Sequence, residues 1–423
     1  MSRVVITGLG IISSIGNSLR EVEDSLRAMK HGFAPFPALV DEPCPPKFYG
    51  SISGFETLSA DPEDWIYPER YKVALGHLKG MAPHVLFAYF STLDALADAG
   101  LELGDVSEPQ TGLYSASGGS AALIHQQIEK MNRRGVTRCS PFGIVASSVG
   151  TLNFNLGAIL KIKGASCGMA SACASSAHAL GFAHDAIASG RQDRMIVVGA
   201  EDCNRETILG FACMRALSSD PDPRKASCPF DANRTGFVGT GGAATLILES
   251  EASAQRRGAK IYAEYKGWGE ACDGHSPAMS HPEGEGLAAS MRRALERSGV
   301  KPSDIDYVSA HATSTPVGDL SEIRALKSVF LESASSNSPA ISSTKALTGH
   351  PLSMAGTLEA VTCALSIKNK FTPGSAHIDT LDPECEGLNI LQSTSDSGPI
   401  TALSNNSGFG GANVSLIFSA WDG

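Results

Sequence analysis

Four short stretches hold residues whose types and spacing could do chemistry. In Ser171-Ala172-Cys173-Ala174-Ser175-Ser176-Ala177-His178 one cysteine stands among small residues. A helical pattern through Ala179, Leu180, Phe182, Ala183 and Ile187 follows and ends at Gly190. Cys173 is therefore expected at a helix N-terminus, where unpaired N–H groups lower a thiol pKa and favour the thiolate. Small neighbours leave room for an acyl group and for backbone amides facing an oxyanion. On residue type alone a buried structural thiol is the commoner case, so the companions decide. His311, in Ser309-Ala310-His311-Ala312-Thr313-Ser314-Thr315-Pro316, closes the strand-like run Tyr307–Ala310. The carboxyl end of such a strand is where α/β folds hold ligands, and Thr313 and Thr315 could bond an amide-bearing ligand arm. Lys345 and His350, in Ser343-Thr344-Lys345-Ala346-Leu347-Thr348-Gly349-His350, could orient an acid-base group or form a solvated turn. The loop Ser407-Gly408-Phe409-Gly410-Gly411-Ala412-Asn413 runs into strand-like Val414–Phe418 with no helix or lysine after it. That excludes a phosphate cradle and leaves its amides for half of an oxyanion hole.

The elements that must position these residues alternate β and α. Strand-like runs at Val4–Ile6, Thr111–Tyr114, Met195–Val198, Thr245–Leu248, Tyr307–Ala310 and Val414–Phe418 are separated by helical patterns such as Pro83–Ala99 and Met354–Ile367. Such alternation predicts a doubly wound α/β fold. The chain also repeats loosely. Gly8-Leu9-Gly10 is matched by Gly267-Trp268-Gly269, Gly239–Ala243 by Gly408–Ala412, and Ala170–Ala188 by Ser342–Ile367, in the same order. Two halves are expected, 1–250 and 256–423, the first carrying Cys173 and the second both histidines.

Among the 423 residues, 42% are hydrophobic and 18% charged, which excludes disorder. The net charge of -10 argues against nucleic acid as a partner. No unbroken apolar run suits a membrane span, and Met1-Ser2-Arg3 leads into Val4-Val5-Ile6 without a secretory pattern. Ten cysteines without CxxC pairs suggest a reducing, cytoplasmic setting and no sequence-encoded zinc site.

Taken together, Ser-Ala-Cys-Ala-Ser-Ser-Ala-His, His311-Ala-Thr-Ser-Thr-Pro-Val-Gly-Asp and Lys345-Ala-Leu-Thr-Gly-His resemble the signatures of elongating β-ketoacyl-acyl-carrier-protein synthases. The opening Val-Ile-Thr-Gly-Leu-Gly, Arg215-Ala216-Leu217-Ser218, Phe230-Asp231 and the closing Gly-Phe-Gly-Gly-Ala-Asn are similar too. The start and the Cys173 stretch are nearer synthase I than synthase II. This resemblance spans the whole chain. It implies a thiolase-like fold with two similar βαβαβαββ halves packed in layers, a homodimer, and an acyl carrier protein as partner. It also implies that no cofactor is required, since substrates ride on the carrier's phosphopantetheine. By the same resemblance Cys173 takes the acyl chain as a thioester, and His311 and His350 promote decarboxylation of the malonyl carrier and hold the enolate. Lys345 sets their protonation states. The amides of Cys173 and Phe409 form the oxyanion hole, Phe409 gates the site, and Thr313 and Thr315 hold the pantetheine. Asp319 and Glu322 support the network, and Glu359 marks a possible monovalent-cation site where Ser309 replaces a usual Asn.

Several positions depart from the family pattern: Ala312 for Gly, Thr235 for an acid, Pro351 and Ser353 behind His350, and Ser407 for Phe. They bear on acyl selectivity rather than on the chemistry. A thiolase would need a second cysteine in the C-terminal glycine loop, and none follows Cys385. An initiating synthase would carry Asn in place of His350. A ketosynthase of a specialised type II polyketide or aryl-polyene pathway shares these motifs and is the alternative to fatty-acid elongation. Because the chain is acidic, an acidic carrier needs a local basic patch. Lys130, Arg133, Arg134 and Arg138 form the expected docking cluster.

Overall fold

The computed structural model describes residues 2–39, 47–59, 61–331 and 338–423; Met1, the start of the expected N-terminal half, and Cys44 lie outside them. Eleven strands form one mixed sheet. In chain order they are β1 (Val4–Ile12), β2 (Thr111–Ala116), β3 (Ser166–Met169), β4 (Arg194–Glu201), β5 (Gly242–Ser250), β6 (Ala263–Cys272), β7 (Tyr307–Ser309), β8 (Ala340–Ser342), β9 (Asn389–Ile390), β10 (Thr401–Gly408) and β11 (Ala412–Ser419). Their spatial order is β9-β8-β7-β10-β11-β6-β1-β5-β4-β2-β3. Outward from the centre, β1-β5-β4-β2-β3 on one side mirrors β6-β11-β10-β7-β8 on the other, with β9 added at one edge. In each set the strands equivalent to β2, β3 and β4 pair in parallel, and the last strand runs antiparallel to its neighbours. The two sets meet through antiparallel pairing of Val4–Ile6 with Ala263–Tyr265.

Six helices place the layers: α1 (Pro83–Asp98), α2 (Ala121–Arg134), α3 (Ser175–Ala188), α4 (Glu285–Ser298), α5 (Pro316–Phe330) and α6 (Ala355–Asn369). Helices α3 and α6 lie between the two sets of strands and touch both. Their Ala177, Ala183, Leu358 and Val361 share one buried cluster with Leu9, Val197, Tyr307 and Leu416. Helix α6 is buried along Ala355–Ile367 and α3 over most of its length, and both are apolar or small around most of their circumference, as interior helices must be. Helix α1 covers the first set of strands from outside, and α4 and α5 cover the second.

The repeated Gly-x-Gly has a packing origin rather than a turn origin. Gly10 lies within β1, and a Cβ there would come 1.9 Å from the Ser91 carbonyl oxygen of α1. Gly269 lies within β6, where a Cβ would come 2.3 Å from the Ser290 oxygen of α4. Each outer helix therefore approaches its strand closely at the same point of the repeat, and only glycine allows it.

Candidate active site

Cys173 follows the edge strand β3 and precedes α3. The chain turns sharply there, with Ala172 at φ +51°, an uncommon conformation for a residue with a Cβ. The turn is closed by Ser175, whose hydroxyl donates to the Ala172 carbonyl at 2.6 Å and accepts from the Ser171 N–H at 2.8 Å. Cys173 stands two residues ahead of the first helical residue and is buried. Burial pushes its thiol up to about 12, against a smaller downward pull from Lys345. Desolvation therefore opposes the thiolate that a helix N-terminus favours.

The structure brings both histidines to it. His350 Nε2 lies 3.1 Å from Cys173 Sγ, and one ligand-capable atom from each of Cys173, His311 and His350 falls within 4.8 Å of the others. The two imidazoles meet edge to face, 5.3 Å between centroids. Both are buried, and burial with the nearby Lys345 charge holds each well below the ordinary histidine pKa. Both are neutral at physiological pH.

Their backbones are anchored by different devices. The His311 N–H and the Ala312 N–H donate to Glu322 at 3.0 and 2.6 Å, and Asn405 Nδ2 donates to the same carboxylate at 3.1 Å. Asp319 accepts from the Thr313 N–H at 2.9 Å and the Phe230 N–H at 3.1 Å, with Arg234 3.5 Å away. Burial raises Asp319 to about 6 and Glu322 to about 7. The His350 N–H donates to the Val238 carbonyl at 2.7 Å, and the His350 carbonyl accepts from the Thr240 N–H at 3.2 Å. Ser353 donates through its N–H at 3.1 Å, and through its hydroxyl, to Glu201, fixing the turn behind His350.

Lys345 is buried and ion-paired to Glu359, whose other oxygen accepts from Asn406 Nδ2 at 2.6 Å. The cation expected at Glu359 therefore meets a carboxylate already balanced by an ammonium. Ser309 Oγ and Asn406 Oδ1 are nevertheless buried with no partner, and a hydroxyl, an amide oxygen and a carboxylate are donors that fit a hard cation.

Phe409 begins the short turn between β10 and β11. A Cβ at Gly408 would lie 2.5 Å from the Ser171 oxygen and 3.2 Å from the Cys173 nitrogen, so the loop rests on the cysteine's own backbone. Cys173, His311, His350, Thr313, Thr315, Ser407 and Phe409 line one cleft. Thr313 Oγ1 and Thr315 Oγ1 are 3.1 Å apart, and the Ser407 hydroxyl donates to Asn413 at 2.8 Å. Phe211 and Phe237 were not singled out from sequence. With Phe409 and His350 they form a row of rings at successive separations of 5.9, 5.3 and 5.2 Å. Thr235 joins Ser218 hydroxyl to hydroxyl at 3.2 Å. Lys130, Arg133 and Arg134 end α2 and Arg138 follows in a single turn, all four exposed. Arg133 pairs with Glu129 at 3.4 Å; among the described residues the other three have no ion-pair partner.

With this geometry in hand, two family models match the chain: "Beta-ketoacyl synthase, N-terminal domain" over residues 1–254 and "Beta-ketoacyl synthase, C-terminal domain" over 262–379. The chain belongs to the β-ketoacyl synthase family. This synthase is 39% identical over 430 residues to 3-oxoacyl-[acyl-carrier-protein] synthase 1 of Haemophilus influenzae, covering 100% of each. Among solved structures it is similar to a β-ketoacyl synthase from Burkholderia phymatum, at TM-score 0.90 and 30% identity over 100% of both chains. It is also similar to a type II polyketide ketosynthase solved in complex with its acyl-carrier protein, at TM-score 0.87 and 25% identity over 100% of both. Among the described residues of the synthase no helix is long and apolar enough to cross a membrane.

Proposed function

We propose that this synthase performs the decarboxylative condensation of an acyl chain with a malonyl unit, both delivered on acyl carrier protein, to give a 3-oxoacyl carrier in fatty-acid elongation. The observation that carries the reading is one buried thiol against two neutral imidazoles in a cleft walled by the Phe409 loop. The half 1–250 supplies the nucleophile and the half 256–423 supplies both histidines. In the first stage Cys173 Sγ forms a bond to the acyl carbonyl and the carbonyl–sulfur bond to pantetheine breaks. The thiol proton passes by way of His350 to the departing sulfur. The Cys173 and Phe409 amides hold the oxyanion, and Ile208, Leu217, Phe237 and Leu352, clustered with Cys173, surround the acyl chain with apolar contacts.

In the second stage Thr313 and Thr315 hold the malonyl carrier's pantetheine. The carboxylate leaves as carbon dioxide, its electron pair forming an enolate that His311 and His350 stabilise by hydrogen bonds. The enolate carbon then bonds to the acyl carbonyl and the carbonyl–Sγ bond breaks, releasing the Cys173 thiolate, which regains its thiol by taking a proton from solvent. Lys345 keeps both imidazoles neutral, Asp319 and Glu322 hold the His311–Thr313 backbone, and Phe409 gates entry. Residues Glu359, Asn406 and Ser309 would hold a monovalent cation, which would add fixed positive charge near Lys345. No step runs through it, and the chemistry needs no other cofactor. Fatty-acid elongation is favoured over a specialised polyketide or aryl-polyene role by the 39% identity to synthase 1, against 25% to the polyketide ketosynthase.

We further read the synthase as a cytoplasmic homodimer. Edge strand β3 pairs on one side only, with β2, and the surrounding Ile144, Val149 and Phe154 are large, apolar and exposed. Incubation with acyl and malonyl carrier proteins, read by intact mass, tests the function: a 3-oxoacyl carrier and an acylated enzyme support it. Acylation with no condensed product would reduce the protein to an acyl-binding module.

A further inference from the structure

Cys173, His311 and His350 lie far apart in sequence, yet among the described residues they are the group of three whose ligand atoms converge as a metal site requires. A thiol sulfur with two imidazole nitrogens is a donor set that thiophilic divalent ions prefer over the oxygen-seeking ions. The geometry is close to what such an ion needs. With metal–sulfur and metal–nitrogen bonds of about 2.3 and 2.0 Å, tetrahedral ligand atoms sit roughly 3.5 Å apart. The Sγ–Nε2 separation is 3.1 Å, and the third donor lies within 4.8 Å. The ring planes stand 87° apart, so the two imidazoles do not stack on each other.

Three protein ligands leave a fourth position, and the cleft lined by Thr313 and Phe409 opens on it. Lys345 opposes a second positive charge, but Glu359 pairs with it directly.

We propose that zinc, or another thiophilic divalent ion, binds Cys173, His311 and His350 and reversibly inactivates the synthase. This is a form of regulation at the site that rests on reading Cys173 as the nucleophile. Binding exchanges the S–H bond for a sulfur–metal bond, and the proton leaves to solvent; no electron is transferred. Because the metal and the acyl group need the same sulfur, the two exclude each other.

Cobalt(II) is the probe, since a thiolate ligand gives it a charge-transfer absorption in the near ultraviolet. The full chain, titrated with cobalt, should develop this band at one ion per chain, and zinc should abolish it. Enzyme already acylated on Cys173 should give no band, and this control uses the folded wild-type chain. Cys173→Ser should lose the band although the exposed Cys167, Cys213 and Cys272 remain. His311→Ala and His350→Ala should each weaken binding at least tenfold. Equimolar zinc should block iodoacetamide labelling of Cys173, and a chelator should restore it.

A band that survives in Cys173→Ser, or in the acylated enzyme, overturns the proposal, as does full labelling in the presence of zinc. These readouts need no carbon–carbon bond formation. Failure to condense acyl and malonyl carriers would therefore count against the proposed function while leaving the metal measurement to stand or fall separately.

Discussion

At the scale of single residues the site separates the work of one sulfur from that of two nitrogens. Cys173 is a thiol raised to about 12 by burial, so its reactivity depends on His350, 3.1 Å away, rather than on a standing negative charge. Cys173 should be the single acylated cysteine, which peptide mapping of the acyl-enzyme checks; an adduct on exposed Cys167 would reject the assignment. Both imidazoles are held neutral, and each can donate its one N–H to an enolate without first gaining a proton. His311→Ala and His350→Ala should therefore each cut malonyl decarboxylation by roughly a hundredfold or more, the usual size of a positioned acid-base or hydrogen-bonding group. Acyl transfer to Cys173 should survive in part, more in His311→Ala, because His350 faces the sulfur. Wild-type decarboxylation in either variant would remove that histidine from the mechanism.

At the scale of elements one buried histidine carries no partner for its charge. His84, in the first turn of α1, is fully buried with neither ring nitrogen bonded, and burial pushes its pKa down to about 4. The folded state thus binds this proton less readily than the unfolded state. Its contribution is present above about pH 6.5 and is lost as pH falls through about 4, up to roughly 3 kcal/mol. The raised carboxyls Glu201, Asp202, Asp319 and Glu322 act with the opposite sign, losing their contribution as pH rises through about 6 to 7. The comparison must therefore be made between variants. His84→Leu should show a shallower loss of urea stability than wild type between about pH 7 and about pH 4. Parallel curves would mean that His84 is not buried neutral.

For the whole molecule, internal symmetry builds the site by exchange. The glycine loop before β5 clamps the His350 backbone through Val238 and Thr240, while the equivalent loop before β11 rests on Ser171 and Cys173. Each half closes over the other's strand–turn–helix, so neither half alone holds the chemistry. Outside this centre the net charge of -10 opposes an acidic carrier, and Lys130, Arg133, Arg134 and Arg138 form an exposed basic cluster at the end of α2. Reversing Arg134 and Arg138 to Glu should raise KM for acyl carrier protein several-fold at low salt and much less at high salt. Reaction with a small acyl thioester should hardly change. Equal losses with both substrates would mean that the arginines hold the fold instead. The apolar face beside β3 predicts a dimer by sedimentation, and Phe154→Asp should shift it toward monomer.

Much of this was legible in the amino-acid order. Short apolar strand-like runs and the helical patterns between them marked the α/β alternation, and the ordered return of glycine pairs marked the doubled topology, because local geometry writes such patterns into neighbouring residues. The types at positions 173, 311, 345 and 350 named the candidate chemistry. Other features arise only from contacts between distant segments. The Gly-x-Gly pairs lie inside strands because a helix must pass close by, which no local rule distinguishes from a turn. Phe211 and Phe237 join the site through tertiary packing alone. The helix terminus beside Cys173 is visible in sequence, whereas the desolvation that opposes a thiolate there is set by everything folded around the sulfur.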